Sequence, residues 1–129
     1  MFDVRALLAV ALGGALGSVI RYAVTVAMTQ RFGAGVPWGT LAINISGCLA
    51  IGFIAGISQV RGFGSPAVRI FLVVGVLGGY TTFSTFAYDT LTLAGEGASP
   101  LALLYAGSSV AGGLTAAYLG SMLARALTL

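Results

Sequence analysis

The chain has no histidine and no lysine, a single cysteine, three prolines, and only 7% charged residues among its 129. A soluble domain carries about 25% charged residues. Each shortage excludes something. Without histidine there is no His-based zinc site and no imidazole general base. Cys48 stands alone in an apolar run, so it makes no intrachain disulfide and carries no information on redox compartment. The cations are six arginines and the net charge is +3, with no cluster dense enough for a nucleic-acid patch. The only acids are Asp3, Asp89 and Glu96. None falls in the middle of an apolar run, and Asp89 sits toward the end of one. A proton-driven carrier keeps an acid or a histidine inside the membrane. An intramembrane hydrolase needs paired carboxylates, a supported nucleophile or a metal. Neither inventory is present, and no enzyme is expected.

What is present is apolar: 58% hydrophobic residues and a mean hydropathy of +1.03. This is the composition of an all-α integral membrane protein. A spanning helix takes about 20 apolar residues, and the runs fall at about 4–28, 38–58, 67–93 and 100–127. Four helices consume residues 1–129 as one transmembrane domain. The first run continues through Ala23 with no cleavage pattern after a short apolar core, so it reads as a span and not as a removed signal peptide.

Within the spans the polar residues are few and neutral. Gly13, Gly14 and Gly17 give the first span a face on which another backbone can approach closely. Arg21 falls in its final third, where it either snorkels to the interface or places a positive charge at a pore mouth. Trp38 opens the second span as an interfacial aromatic. Asn44 is the one amide inside any span, flanked by Thr40 and Gly47 at about one helical turn. It serves either as an interhelical hydrogen bond or as an NH2 donor aimed at an anion.

The third span holds the stretch around which the chain is organised, Gly75 to Phe86. Gly75, Gly78 and Gly79 fall within five positions, followed by Thr81, Thr82, Ser84 and Thr85 interleaved with Phe83 and Phe86. Glycine lowers helix stability by about 1 kcal/mol, so the stretch reads in two ways. It is a glycine face for helix contact, or it is a helix break whose freed carbonyls need a partner. If helical, Phe83 and Phe86 share a face at i, i+3. Ring edges facing a pore favour an anion, and ring faces a cation. Neutral donors, hydroxyls and two phenylalanines suit passive movement of a small ion.

The run Gly78-Gly79-Tyr80-Thr81-Thr82-Phe83-Ser84-Thr85-Phe86 closely resembles the signature of the Fluc (CrcB-like) fluoride channel family. Gly39-Thr40-Leu41 with Asn44 and Gly47-Cys48 resembles the second motif of that family, and Gly13-Gly14 with Gly17 and Arg21-Tyr22 its first-span motif. The likeness covers essentially the whole chain in order. It implies a passive, fluoride-selective channel that releases cytoplasmic fluoride across a prokaryotic inner or plasma membrane. The fold it implies is an antiparallel, dual-topology homodimer whose third helix is broken near the midplane, with two antiparallel pores and a structural sodium ion at the centre. Phe83 and Phe86 would line the pore, Asn44 would be its donor, and Tyr105 and Ser109 would belong to a hydroxyl track. Arg21 would be the vestibule arginine. Gly78 and Thr81 of each subunit would give backbone carbonyls to sodium. The partners implied are a second copy of the chain, fluoride, sodium and the lipid bilayer.

Two features sit less easily with this pattern. Where another hydroxyl is expected one turn after Ser109, the chain has Gly112 and Gly113, which leaves Thr115 or Thr40 to fill that role. Arg5, Arg61, Arg69 and Arg125 fall on the side of the N-terminus, against Arg31 and Arg21 on the other, a small positive-inside bias for a chain that inserts both ways.

Overall fold

The computed structural model describes residues 3–128. Met1, Phe2 and Leu129, which the 1–129 domain assignment includes, lie outside the described residues. Among the described residues, four helical stretches are long and apolar enough to cross a membrane, and the chain is a multi-pass membrane protein. Helix α1, Val4–Phe32, starts at Asp3, whose carboxylate accepts from the Arg5 amide at 3.0 Å. It continues through Thr29, Gln30 and Arg31, past the Met28 at which hydropathy ends the span. Gly33 stops it with φ +81°, a left-handed value that side chains rarely adopt. Helix α2 is Trp38–Val60.

The third span, Pro66–Gly95, is composite. Ser65 caps its start and Pro66 takes the first helical position, where the missing N–H is no loss. The pieces are α3 (Pro66–Arg69), a π-helical stretch (Ile70–Leu77), α4 (Gly78–Tyr80) and α5 (Phe83–Gly95). Between α4 and α5 the backbone is extended, with φ/ψ of −81°/157° at Thr81 and −153°/115° at Thr82. Thr82 also caps α5, its hydroxyl accepting from the Thr85 amide at 3.2 Å. Helix α6 is Ser99–Thr128.

The glycines decide how these helices meet. In lipid, helix association rests on van der Waals contact and not on expelling water. The molecule is built as two intimate pairs, α2 with α6 and α1 with the third span. A Cβ at Gly13 would strike the Phe71 carbonyl oxygen, and one at Gly17 that of Val76. Both carbonyls belong to the π-helical stretch, so the wider turn fits a notch on α1. Gly52 faces the Ala117 carbonyl and Gly120 that of Leu49, which brings α2 and α6 together backbone to backbone. The seam between the two pairs is thinner. Gly39 on α2 meets Thr25 of α1 there, and α5 lies along α6 around Leu93, Ala102 and Tyr105. Two cavities open along this seam.

Candidate functional site

The first cavity, about 400 Å³, is bounded by Asn44, Gly78, Thr81, Thr82, Phe83, Phe86 and Ser109. The second, about 260 Å³, is more polar and holds Thr40, Thr85, Asp89 and Glu96. Tyr105 lies between them. Its ring is 5.7 Å from that of Phe86, which in turn is 5.6 Å from Phe83. Its hydroxyl donates to Asp89 Oδ2 at 3.3 Å, and the Thr40 hydroxyl donates to the same oxygen at 2.7 Å. An aromatic run therefore leads from the first cavity to a pair of hydroxyls at the edge of the second. Both rings meet Phe86 at a tilt, 49° for Phe83 and 37° for Tyr105.

Asn44 is held at both ends of its amide. Its Nδ2 donates to the Thr82 carbonyl at 3.0 Å, and its Oδ1 accepts from the Thr82 amide at 2.8 Å. One N–H of the group remains for anything else. The same arrangement leaves backbone groups over. The Thr82 amide would serve the Gly78 carbonyl in a continuous helix, and here it goes to Asn44. The Thr85 amide would serve Thr81, and here it goes to the Thr82 hydroxyl. The carbonyls of Gly78 and Thr81 thus lose their helical partners, and both residues border the first cavity.

The other residues singled out by the sequence are spread more widely. Ser109 borders the first cavity, with its hydroxyl donating to the Tyr105 carbonyl at 2.7 Å. Thr40 belongs to the second cavity, and Thr115 is exposed and borders neither. Gly112 and Gly113, where the pattern calls for a further hydroxyl, receive Ile45 and the Cys48 sulfur of α2, so they serve helix contact. Arg21 is half-buried on α1 and borders neither cavity. Phe83 is 80% exposed, so within one chain its ring has a wall on one side only.

Asp89 is the residue that sequence reading passes over. Hydropathy puts it near the end of a span, where it matters only to a coupled transporter and not to the pore. Its oxygen gathers hydroxyls from α2 and α6, from positions 49 and 16 residues away. The signal that could have found it is helical spacing, since Asp89 comes three and four positions after Phe86 and Thr85 and shares their side of α5.

The family described as CrcB-like protein, Camphor Resistance (CrcB), has a model that matches residues 8–121. The chain belongs to this family. Among its CrcB-like relatives, the fluoride-specific ion channel FluC of Rhizobium meliloti (strain 1021) is 46% identical over 121 residues, covering 94% of this chain and 97% of that protein. The proteins of the same name from Acidobacterium capsulatum and Nitrobacter winogradskyi are 48% and 53% identical over 111 and 104 residues. Those alignments cover 86% and 81% of this chain, and 89% and 82% of the relatives. These CrcB-like relatives are named as ion channels and not as enzymes.

Proposed function

We propose that the chain is a passive, fluoride-selective channel that lets cytoplasmic fluoride leave the cell through the inner or plasma membrane. The observation that carries this reading is the run Phe83, Phe86 and Tyr105, which joins a cavity bordered by an amide and hydroxyls to the Thr40–Asp89 pair with no basic side chain along it. The names of the CrcB-like relatives agree with it. Moving a bare ion into a low-dielectric medium costs tens of kcal/mol by Born estimates. Replacement donors must therefore line the whole path. The free N–H of Asn44, the ring edges of Phe83 and Phe86 and the hydroxyls of Tyr105 and Thr40 would supply them in sequence, joined by Ser109 when its proton leaves the Tyr105 carbonyl. An anion arriving at Tyr105 competes with Asp89 for the protons of the two hydroxyls. A narrow bore with donors spaced for a small ion disfavours chloride. Arg21, half-buried on α1, would draw anions toward the vestibule.

In this reading the functional unit is an antiparallel homodimer of dual topology with two pores, its third spans broken near the midplane. Exposure of Phe83 supports a wall completed by a second copy. A structural sodium ion fits the residues present: the Gly78 and Thr81 carbonyls have lost their helical partners, and a hard cation takes neutral oxygens of this kind. Bound there, it would take up the lone pairs of those carbonyls and tie two third spans together.

The test is fluoride efflux from potassium-loaded liposomes containing the purified protein, released with valinomycin and followed with a fluoride electrode, with chloride in parallel. Fast fluoride release without chloride release is expected. Silence from a folded dimer removes the reading. The partnered carboxylate of Asp89 favours one rival, a transporter coupled to protons or sodium. Efflux that ignores both gradients excludes it.

A further inference from the structure

Three consecutive contacts run between α2 and the extended part of the third span. Asn44 grips both backbone groups of Thr82. The Ser46 hydroxyl, within 2.7 Å of the Ala42 carbonyl, also shares a 2.8 Å hydrogen bond with the Tyr80 hydroxyl. Gly47 meets Thr81, the residue between Tyr80 and Thr82, and a Cβ there would overlap the Thr81 methyl. Thr81 itself is tied backward, its amide and its hydroxyl both donating to the Leu77 carbonyl at 2.9 Å. Every residue from Tyr80 to Thr82 is thus fixed by a partner, and α2 supplies one to each.

We infer that Asn44, Ser46 and Gly47 form a template on α2 that imposes the extended backbone on Thr81 and Thr82, with Asn44 as its principal positioning residue. Thr82 could otherwise return its amide to the Gly78 carbonyl and continue the helix, since both groups belong to neighbouring turns and no proline stands between them. Asn44 removes that option by offering a donor and an acceptor at the spacing of one residue's N–H and C=O. An unsatisfied amide in lipid costs several kcal/mol, so the segment opens only where such a partner waits. Gly47 makes room for the outcome, and the Tyr80–Ser46 bond fixes the end of the preceding helix. The template is complete within one chain. The contacts that hold this segment are therefore all intramolecular. Its consequence for transport rests on the channel reading above: Asn44 spends most of its amide on shaping the path and offers an ion only one N–H.

The test uses the full chain in detergent with labelled threonine, reading the 13Cα shifts and amide exchange of Thr81 and Thr82 by NMR. Wild type is expected to show extended-range shifts at both residues and a protected Thr82 amide. Asn44→Asp keeps an oxygen for that amide and is expected to keep both signatures. Asn44→Leu offers nothing, and the Thr82 shift is expected to move into the helical range; faster exchange alone reports only the loss of one buried hydrogen bond. If Asn44→Leu does not fold, Asn44→Ser is too short to span both groups and carries the same expectation. Thr82 that stays extended in Asn44→Leu or Asn44→Ser overturns the template, whatever its exchange rate. Fluoride efflux measured alongside keeps the two proposals apart. A wild type with the expected NMR signatures and no efflux removes the channel and leaves the template. A conducting wild type with an indifferent Asn44 variant does the reverse.

Discussion

Replacing Gly52 by alanine adds one methyl at the closest approach of α2 to α6. That carbon would overlap the Ala117 carbonyl oxygen and stand 2.8 Å from Ala117 Cα, where ordinary contact is 3.4–4 Å. The nearest atoms are all backbone, so no rotamer change relieves the overlap. The helices must part by roughly 1 Å, and a gap of that size forfeits about a quarter to a half of the dispersion attraction across it. Because that attraction is what holds helices together in lipid, the cost lies at the middle of the usual overpacking range, about 2 kcal/mol. Alanine also gains about 1 kcal/mol over glycine in helix propensity, which would mask part of the effect. Gly107→Ala on α6 supplies the reference, since nothing lies within 4 Å of its added methyl and the propensity gain is the same. The difference between the two variants isolates the contact. At this chain length about 2 kcal/mol is roughly 5–10 °C in melting midpoint. Thermal unfolding of both variants in the same detergent measures it. Gly52→Ala melting no lower than Gly107→Ala would refute the argument that the α2–α6 seam is closed to a methyl.

Phe86→Ile removes the middle ring of the aromatic run, worth about 0.5–1.5 kcal/mol per ring contact. On the channel reading it is expected to slow fluoride efflux by an order of magnitude or more while the sizing-column profile stays that of wild type. Asp89→Ala leaves the Thr40 and Tyr105 hydroxyls, 5% and 3% exposed, without their shared acceptor. It is expected to lose about 1–3 kcal/mol for each hydroxyl that stays unpaired, and a wild-type melting midpoint would argue against the pairing. Thr82→Val keeps the shape and loses the cap of α5, for an expected loss of about 1 kcal/mol, read by the same melts. Arg61→Ala breaks one exposed bond to the Thr128 carbonyl and is expected to stay within about 0.5 kcal/mol of wild type.

Hydropathy made the four spans legible, because length and composition alone decide whether a helix crosses a membrane. The glycines were legible only as a choice between contact and interruption, and the fold divides the two roles. Gly75 and Gly79 stay close to Gly13 and Gly14 of α1, and the extended backbone falls on Thr81 and Thr82. Threonine tolerates extended dihedrals better than helix, and its hydroxyl can cap the helix beyond it. Register was out of reach. Asn44 and Thr82 are 38 positions apart, and Thr40 and Asp89 are 49. No periodicity within a single span reports which residues of two spans lie level. Depth along a helix also says nothing of rotation about it, which is why Asp89 looked like a terminal residue while it faces inward.

The two extended residues between α4 and α5 have an electrostatic consequence. Aligned peptide dipoles give a helix about half a positive charge at its start and half a negative charge at its end. The helical run that ends at Tyr80 presents its negative pole to the interval, and α5 presents its positive pole from the other side. A stretch without charged side chains, inside a segment long and apolar enough to cross a membrane, therefore carries poles of both signs a few residues apart. Had the Thr82 amide gone to Gly78, the two poles would have cancelled inside one continuous helix, and the span would carry no field of its own there.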